Sequence, residues 1–84
     1  MPRFIDVHNG SAKGMTPEAA AHAHEMDLAV QNRFGVQYLM YWFDPVTGKV
    51  FCLSEAPNKE AVMQVHAASH GFIADEIFEV TEGR

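Results

Sequence analysis

The stretch "VQYLMYWFDPVTGKVFCLSEAP", Val36 to Pro57, decides the fold. Its first part, Val36 to Asp44, is too aromatic and too continuous for a half-exposed strand, so both of its faces are expected to be largely buried. "DPVTGK" follows as a turn in which Pro45 and Gly48 set the reversal. "KVFCLSEA", Lys49 to Ala56, is the returning strand. Residues 36–56 therefore read as a hairpin.

On its N-terminal side, Arg3 to Asn9 alternates at strand spacing, with Ile5 and Val7 on one face and Phe4, Asp6 and His8 on the other. "NGSAKG" is a loop. Thr16 then caps a helix, Pro17 fits its first position, and Glu18 complements its N-terminus. The helix is expected to run to about Phe34, with Gly35 as a left-handed stop. Ala19, Ala23, Met26, Val30 and Phe34 form its main apolar stripe, and Ala20, His24, Leu28 and Gln31 a weaker one, so more than one side is covered. On the C-terminal side, Pro57 and Asn58 open a second helix, capped by Asn58, that reaches about His70 before Gly71. "EIFEVT", Glu76 to Thr81, alternates as a last strand, and the tail "EGR" looks frayed.

The order is βαββαβ in one domain spanning residues 1–84. Two right-handed crossovers around a hairpin give an α+β, ferredoxin-like split sheet: four antiparallel strands with both helices on one face. The chain is 48% hydrophobic, with six Phe, two Tyr, one Trp and five Met. That exceeds what one sheet face and two helices need. The bare sheet face is therefore expected to be closed by a second copy, giving a homodimer packed sheet to sheet in a dimeric α+β barrel-like assembly.

Composition also excludes functions. A net charge of −5 with only six Lys and Arg offers no clustered positive charge for a nucleic-acid backbone. No apolar run approaches the roughly 20 residues that span a bilayer. Cys52 is the single cysteine, which rules out an intrachain disulfide. The start "MPRFIDVHNG" lacks the basic and apolar regions of a secretory signal. A cytoplasmic protein is expected.

Five histidines in 84 residues are a heavy dose. In "VMQVHAASHGF", Val62 to Phe72, His66 and His70 lie one helical turn apart, close enough to bind one ion. The topology brings the end of the first strand (His8), the start of the first helix (His22, His24) and the end of the second helix to the same end of the domain. Imidazole suits late first-row divalent metals. Asp6, Asp27 or Glu76 can add a carboxylate or orient a ligating ring, and His24 and Asp27 are well spaced for that. Bland readings stand beside this one: His66 as a hydrogen-bonded core residue, His70 as a partner of the helix dipole, His22 as solvated, Cys52 as a small buried residue, and Trp42, Tyr38 and Tyr41 as core or interface aromatics. Asp6 resists such a reading, because a buried carboxylate needs a partner, either His8 or a metal. Strand alternation leaves a question: His8 meets His66 and His70 only at the strand's very end, or if Ile5 and Val7 face away from the helices.

"PRFIDVH", "AHEMDLAVQNRFGV", "YWFDPVTGKVFCLSEAP" and "VHAASHGFIADEIFEV" together resemble a family of short bacterial proteins, a domain of unknown function whose named members are nickel-binding, ferredoxin-like homodimers. The resemblance runs from Pro2 to Gly83. It implies nickel binding through histidines in metal handling or response, with His8, His24, His66 and His70 at matching positions and His22 outside the pattern. The leading expectation is a non-catalytic homodimer that binds Ni(II) or another divalent transition metal. His8, His66 and His70 serve as ligands, His24 as a fourth ligand or a supporting group, and Asp6 and Asp27 as carboxylate candidates. The rivals are a dimeric α+β-barrel enzyme acting on a small organic substrate with a histidine as general base, and a purely structural or regulatory module.

Overall fold

A computed structural model describes residues 1–9 and 15–84. The expected loop over residues 9–14 falls, except for Asn9, outside the described residues. The elements are β1 (Arg3–His8), α1 (Pro17–Val30), a 3₁₀ turn (Gln31–Phe34), β2 (Gln37–Phe43), β3 (Val50–Glu55), α2 (Lys59–Ala68) and β4 (Glu76–Val80). The strands form one antiparallel sheet in the order β2-β3-β1-β4. This is the ferredoxin-like arrangement: each crossover skips one strand, so β1 and β3 lie side by side in the centre.

Each helix starts where its capping residue can act. Thr16 accepts a hydrogen bond from the Ala19 amide at 3.1 Å, and Asn58 from the Ala61 amide at 2.9 Å, satisfying amides that have no partner inside the helix. The first helix departs from expectation at its end. Regular α-helix stops at Val30, and the last turn tightens to 3₁₀ before Gly35 at φ 70°. The Gln31 side chain accounts for part of this, since its Oε1 accepts the Tyr38 amide at 2.8 Å and pins the turn to β2. Its buried line also differs, passing through Ala20 and Asp27, while Ala19 and Leu28 are exposed.

In the hairpin turn the organising residue is Asp44. Its carboxylate accepts from the Val46 amide and the Thr47 hydroxyl, at 2.9 and 2.7 Å, and Gly48 takes the positive φ of 78°.

Between Tyr38 and Met40 the β2 register shifts. The irregularity changes the alternation, so Tyr38 and Tyr41 both face the helices although three positions apart. Met40 and Trp42 are turned outward and are 48% exposed in the single chain, on the face that the sequence reading leaves bare in a monomer. The core on the helix side contains Phe4, Val36, Val50, Cys52, Val62 and Val65. Val62 and Val65 are completely buried, and removing each from water contributes about 1.5–3 kcal/mol.

Candidate metal centre

The site grows from one row of the sheet. Asp6 pairs with Cys52 on one side and Ile77 on the other, and Cys52 pairs with Tyr41. Paired residues share a face, so this row points its side chains at the helices. One step along β1, His8 points the same way and pairs with Val50. Ile5 and Val7 face away from the helices, so the first strand and the second helix do meet.

From the helix layer, α2 lowers His66 onto this row. It is completely buried, as are Asp6 and, to 1% exposure, Asp27. Its two ring nitrogens face different partners. Nε2 lies 3.1 Å from Asp6 Oδ2 and 3.1 Å from the Tyr38 hydroxyl. Nδ1 lies 3.1 Å from Asp27 Oδ1 on α1 and 3.2 Å from His70 Nε2. His70 Nε2 is itself 3.0 Å from Asp27 Oδ1, and the Ser69 hydroxyl donates to that same oxygen at 2.6 Å. On the strand side His8 Nε2 stands 3.1 Å from Asp6 Oδ1. The Asp75 amide donates to the Val7 carbonyl and its carboxylate accepts the Asn9 amide, both at 2.8 Å, which holds the end of β1 in place.

Two carboxylates under one imidazole govern the charges. Burial by itself pushes Asp6 and Asp27 up, but the close imidazoles of His66 and His8 at Asp6, and at Asp27 the hydrogen bonds and charge of His66 joined by His70 and Ser69, outweigh it and hold both carboxyls below their usual range. Burial likewise pushes His66 down, and Asp27 and Asp6 overcome it, raising the imidazole to about 9. The buried Cys52 thiol is driven up by desolvation and then by Asp6 and Asp27.

The two carboxylates differ in one respect. Asp27 Oδ1 is well served by donors, whereas both oxygens of Asp6 are buried with no aligned hydrogen bond among the described residues, although His8 and His66 nitrogens stand within ion-pair distance. The approach is close and the N–H directions are off, so Asp6 is charge-compensated but not hydrogen-bonded. A buried carboxylate in that condition has oxygens left open to a donor or a cation.

Among the described residues, two groups place ligand atoms within 4.8 Å of one another: Asp6, His8, Cys52 and His66, and Asp27, His66 and His70. The residues present therefore fit a divalent transition metal. Beside them is a cavity of about 20 Å³, lined in part by His8, His24, Asp27, Cys52 and His70, which has room for a water molecule or an ion.

His8, His66, His70, Asp6 and Asp27, all proposed from sequence, are brought together. His24 lines the cavity but joins neither group. Its ring lies against Tyr41 with centroids 4.8 Å apart, and its buried Nδ1 has no partner among the described residues. Burial is the main reason that its protonated form is disfavoured, against the pull of Asp27 and Glu25. His22 is exposed. Glu76 pairs with Val7 on the outward face, so it cannot reach the cluster. The sequence marks Tyr38 as a core or interface aromatic and Cys52 as a small buried residue, and both are buried, but it gives neither of them, nor Ser69, a part in the cluster. Only the register of β3 against β1 could have found Cys52, and the displaced alternation of β2 concealed Tyr38.

Residues 4–80 match the family described as nickel responsive protein SCO4226-like. The chain is also similar to a solved structure, the crystal structure of SCO4226 from Streptomyces coelicolor A3(2), at 43% sequence identity. The match covers 98% of this chain and 99% of that one, with a TM-score of 0.87. Among curated proteins no match is found.

Proposed function

The chain belongs to the SCO4226-like nickel responsive protein family, and from that premise we propose that it binds nickel(II), or a similar divalent transition metal, at the cluster around His66. Its role is metal handling or response, without catalysis. The observation that carries this reading is Asp6: a fully buried carboxylate, both oxygens lacking an aligned donor, flanked by imidazoles of two different elements. Imidazole and carboxylate together suit nickel, cobalt, zinc and copper, and geometry and availability choose among them.

We propose further that the protein is a homodimer closed through the outward sheet face, where Met40, Trp42 and Phe78 are each 48% exposed beside Ile5 and Leu53. A cytoplasmic location suits the lone thiol of Cys52. No helix among the described residues is long and apolar enough to cross a membrane.

Calorimetric titration of the untagged, metal-free protein with nickel tests the binding. Saturable uptake is expected, lost in the His66→Ala, His70→Ala double variant. His8→Ala, at the partly accessible edge, weakens binding while leaving the fold in place. Uptake equal to wild type in both variants would sink the reading.

A further inference from the structure

Two groups of ligand-capable side chains share His66, and they predict different chemistry. We propose that the ion is held on the strand side by Asp6, His8, Cys52 and His66, with Cys52 supplying a thiolate, while Asp27, His70 and Ser69 position His66 from the helix side. This rests on the metal-binding reading above and deepens it by naming a sulfur ligand and its supporting partners.

Four observations point this way. The sheet register sets Cys52 directly beside Asp6, with His8 on the same face of β1, so three of the four ligands come from adjacent central strands. All four ligand atoms lie within 4.8 Å of one another. Second, the unsatisfied carboxylate lies on this side, because Asp6 lacks aligned donors among the described residues whereas Asp27 Oδ1 has Ser69, His66 and His70 within 2.6, 3.1 and 3.0 Å.

The third observation is the state of His70. The Phe72 amide donates to His70 Nδ1 at 3.0 Å. A neutral imidazole carries one N–H, so the His70 proton is on Nε2, aimed at Asp27. That nitrogen is a donor and not a ligand. Fourth, His66 sets Nδ1 against Asp27 and places Nε2 3.1 Å from both Asp6 Oδ2 and the Tyr38 hydroxyl. A carboxylate holding one ring nitrogen while the other binds metal is the arrangement that fixes a ligating histidine in its working tautomer. His8 and Cys52 line the cavity, which gives an ion its entry.

One carboxylate and one thiolate, those of Asp6 and Cys52, balance a divalent charge within the ligand set, and Asp27 keeps its contact with His66 Nδ1. Thiolate with imidazole selects borderline ions such as nickel, cobalt and zinc over magnesium or calcium, and ion binding expels two protons to solvent, that of the Cys52 thiol and that on His66 Nε2.

The test loads untagged, metal-free protein with cobalt(II), following heat by calorimetry and the near-ultraviolet absorption that a thiolate–cobalt bond produces. The band is expected to grow with saturation in wild type and to vanish in Cys52→Ser. In Asp27→Asn the band is expected to persist while affinity falls roughly 10–100-fold, and His70→Ala keeps the band with weakened binding. Should Cys52→Ser not fold, the presence or absence of the band in the wild-type protein decides between a sulfur ligand and none. Heat of binding without the band would overturn the thiolate site and leave the metal-binding reading standing. Absence of both signals overturns both. Binding abolished by His70→Ala but unaffected by His8→Ala would move the ion to the helix side and overturn this assignment.

Discussion

At the scale of single residues the molecule turns on His66, an imidazole with a carboxylate at each ring nitrogen. Its ordinary value is 6.5, and the pair of carboxylates, opposing the effect of burial, holds it at about 9. A basic group raised on folding stabilises the folded state while it is protonated. The contribution, on the order of 3 kcal/mol, is complete below pH 6.5 and is lost as pH rises through about 9. Asp6 and Asp27 are held below 3.8, so their contribution disappears only when acid drives the pH down through that range. Urea unfolding of the metal-free protein in chelator should therefore show a midpoint that falls between pH 6.5 and 9, with a flatter profile in His66→Gln. A midpoint constant across that window would contradict the charge assignment. Much of this was legible in the sequence. Asp6 declared itself as a carboxylate inside a strand, and His66 and His70 by their spacing. Tyr38 and Ser69 did not, because a hydroxyl announces no partner until the fold brings one to it.

Secondary elements repeat this contrast. Local chemistry placed both helix starts correctly: a cap whose side chain takes up a free amide acts within three residues and needs no tertiary information. The end of α1 was less visible, since the switch to 3₁₀ depends on Gln31 reaching β2. Gly35 is the exception, foreseen as a left-handed stop and found at φ 70° with open space around its Cα. Gly35→Ala is therefore expected to cost about 1–2 kcal/mol from backbone strain alone, with no clash and no loss of metal binding. Paired urea unfolding and nickel titration check this, and an unchanged stability would show that the turn relaxes freely. The shift in β2 was invisible to a pattern of period two, because one irregular residue reverses every later assignment of faces.

For the whole molecule, the sheet presents one face to the helices and leaves the other bare in the single chain. Met40, Trp42 and Phe78 stand half exposed there, with Ile5, Phe51 and Leu53 between them. Contiguous apolar surface of this kind normally marks an interaction face. A second copy meeting it sheet to sheet would bury that surface without disturbing the helix side, where the cluster around His66 lies. Trp42→Glu should then halve the solution mass measured by light scattering while nickel binding persists. Retention of the dimer, or a monomeric wild type, would argue against this interface.

Taken alone, the sequence determined the order of elements, the hairpin, both caps and the family, because these depend on neighbours along the chain and on patterns a few residues long. It also named the histidines and carboxylates from which a site could be built. What it could not choose was their direction. The tertiary structure turned Asp6 and His8 toward the helices, set Cys52 beside them, and removed Glu76 to the other face. The reason is physical: side-chain direction in a strand depends on register and on any residue that interrupts it. A buried charge then finds its partners across the sheet and helix layers, at separations of 39 residues between Asp27 and His66, where no local pattern can reach.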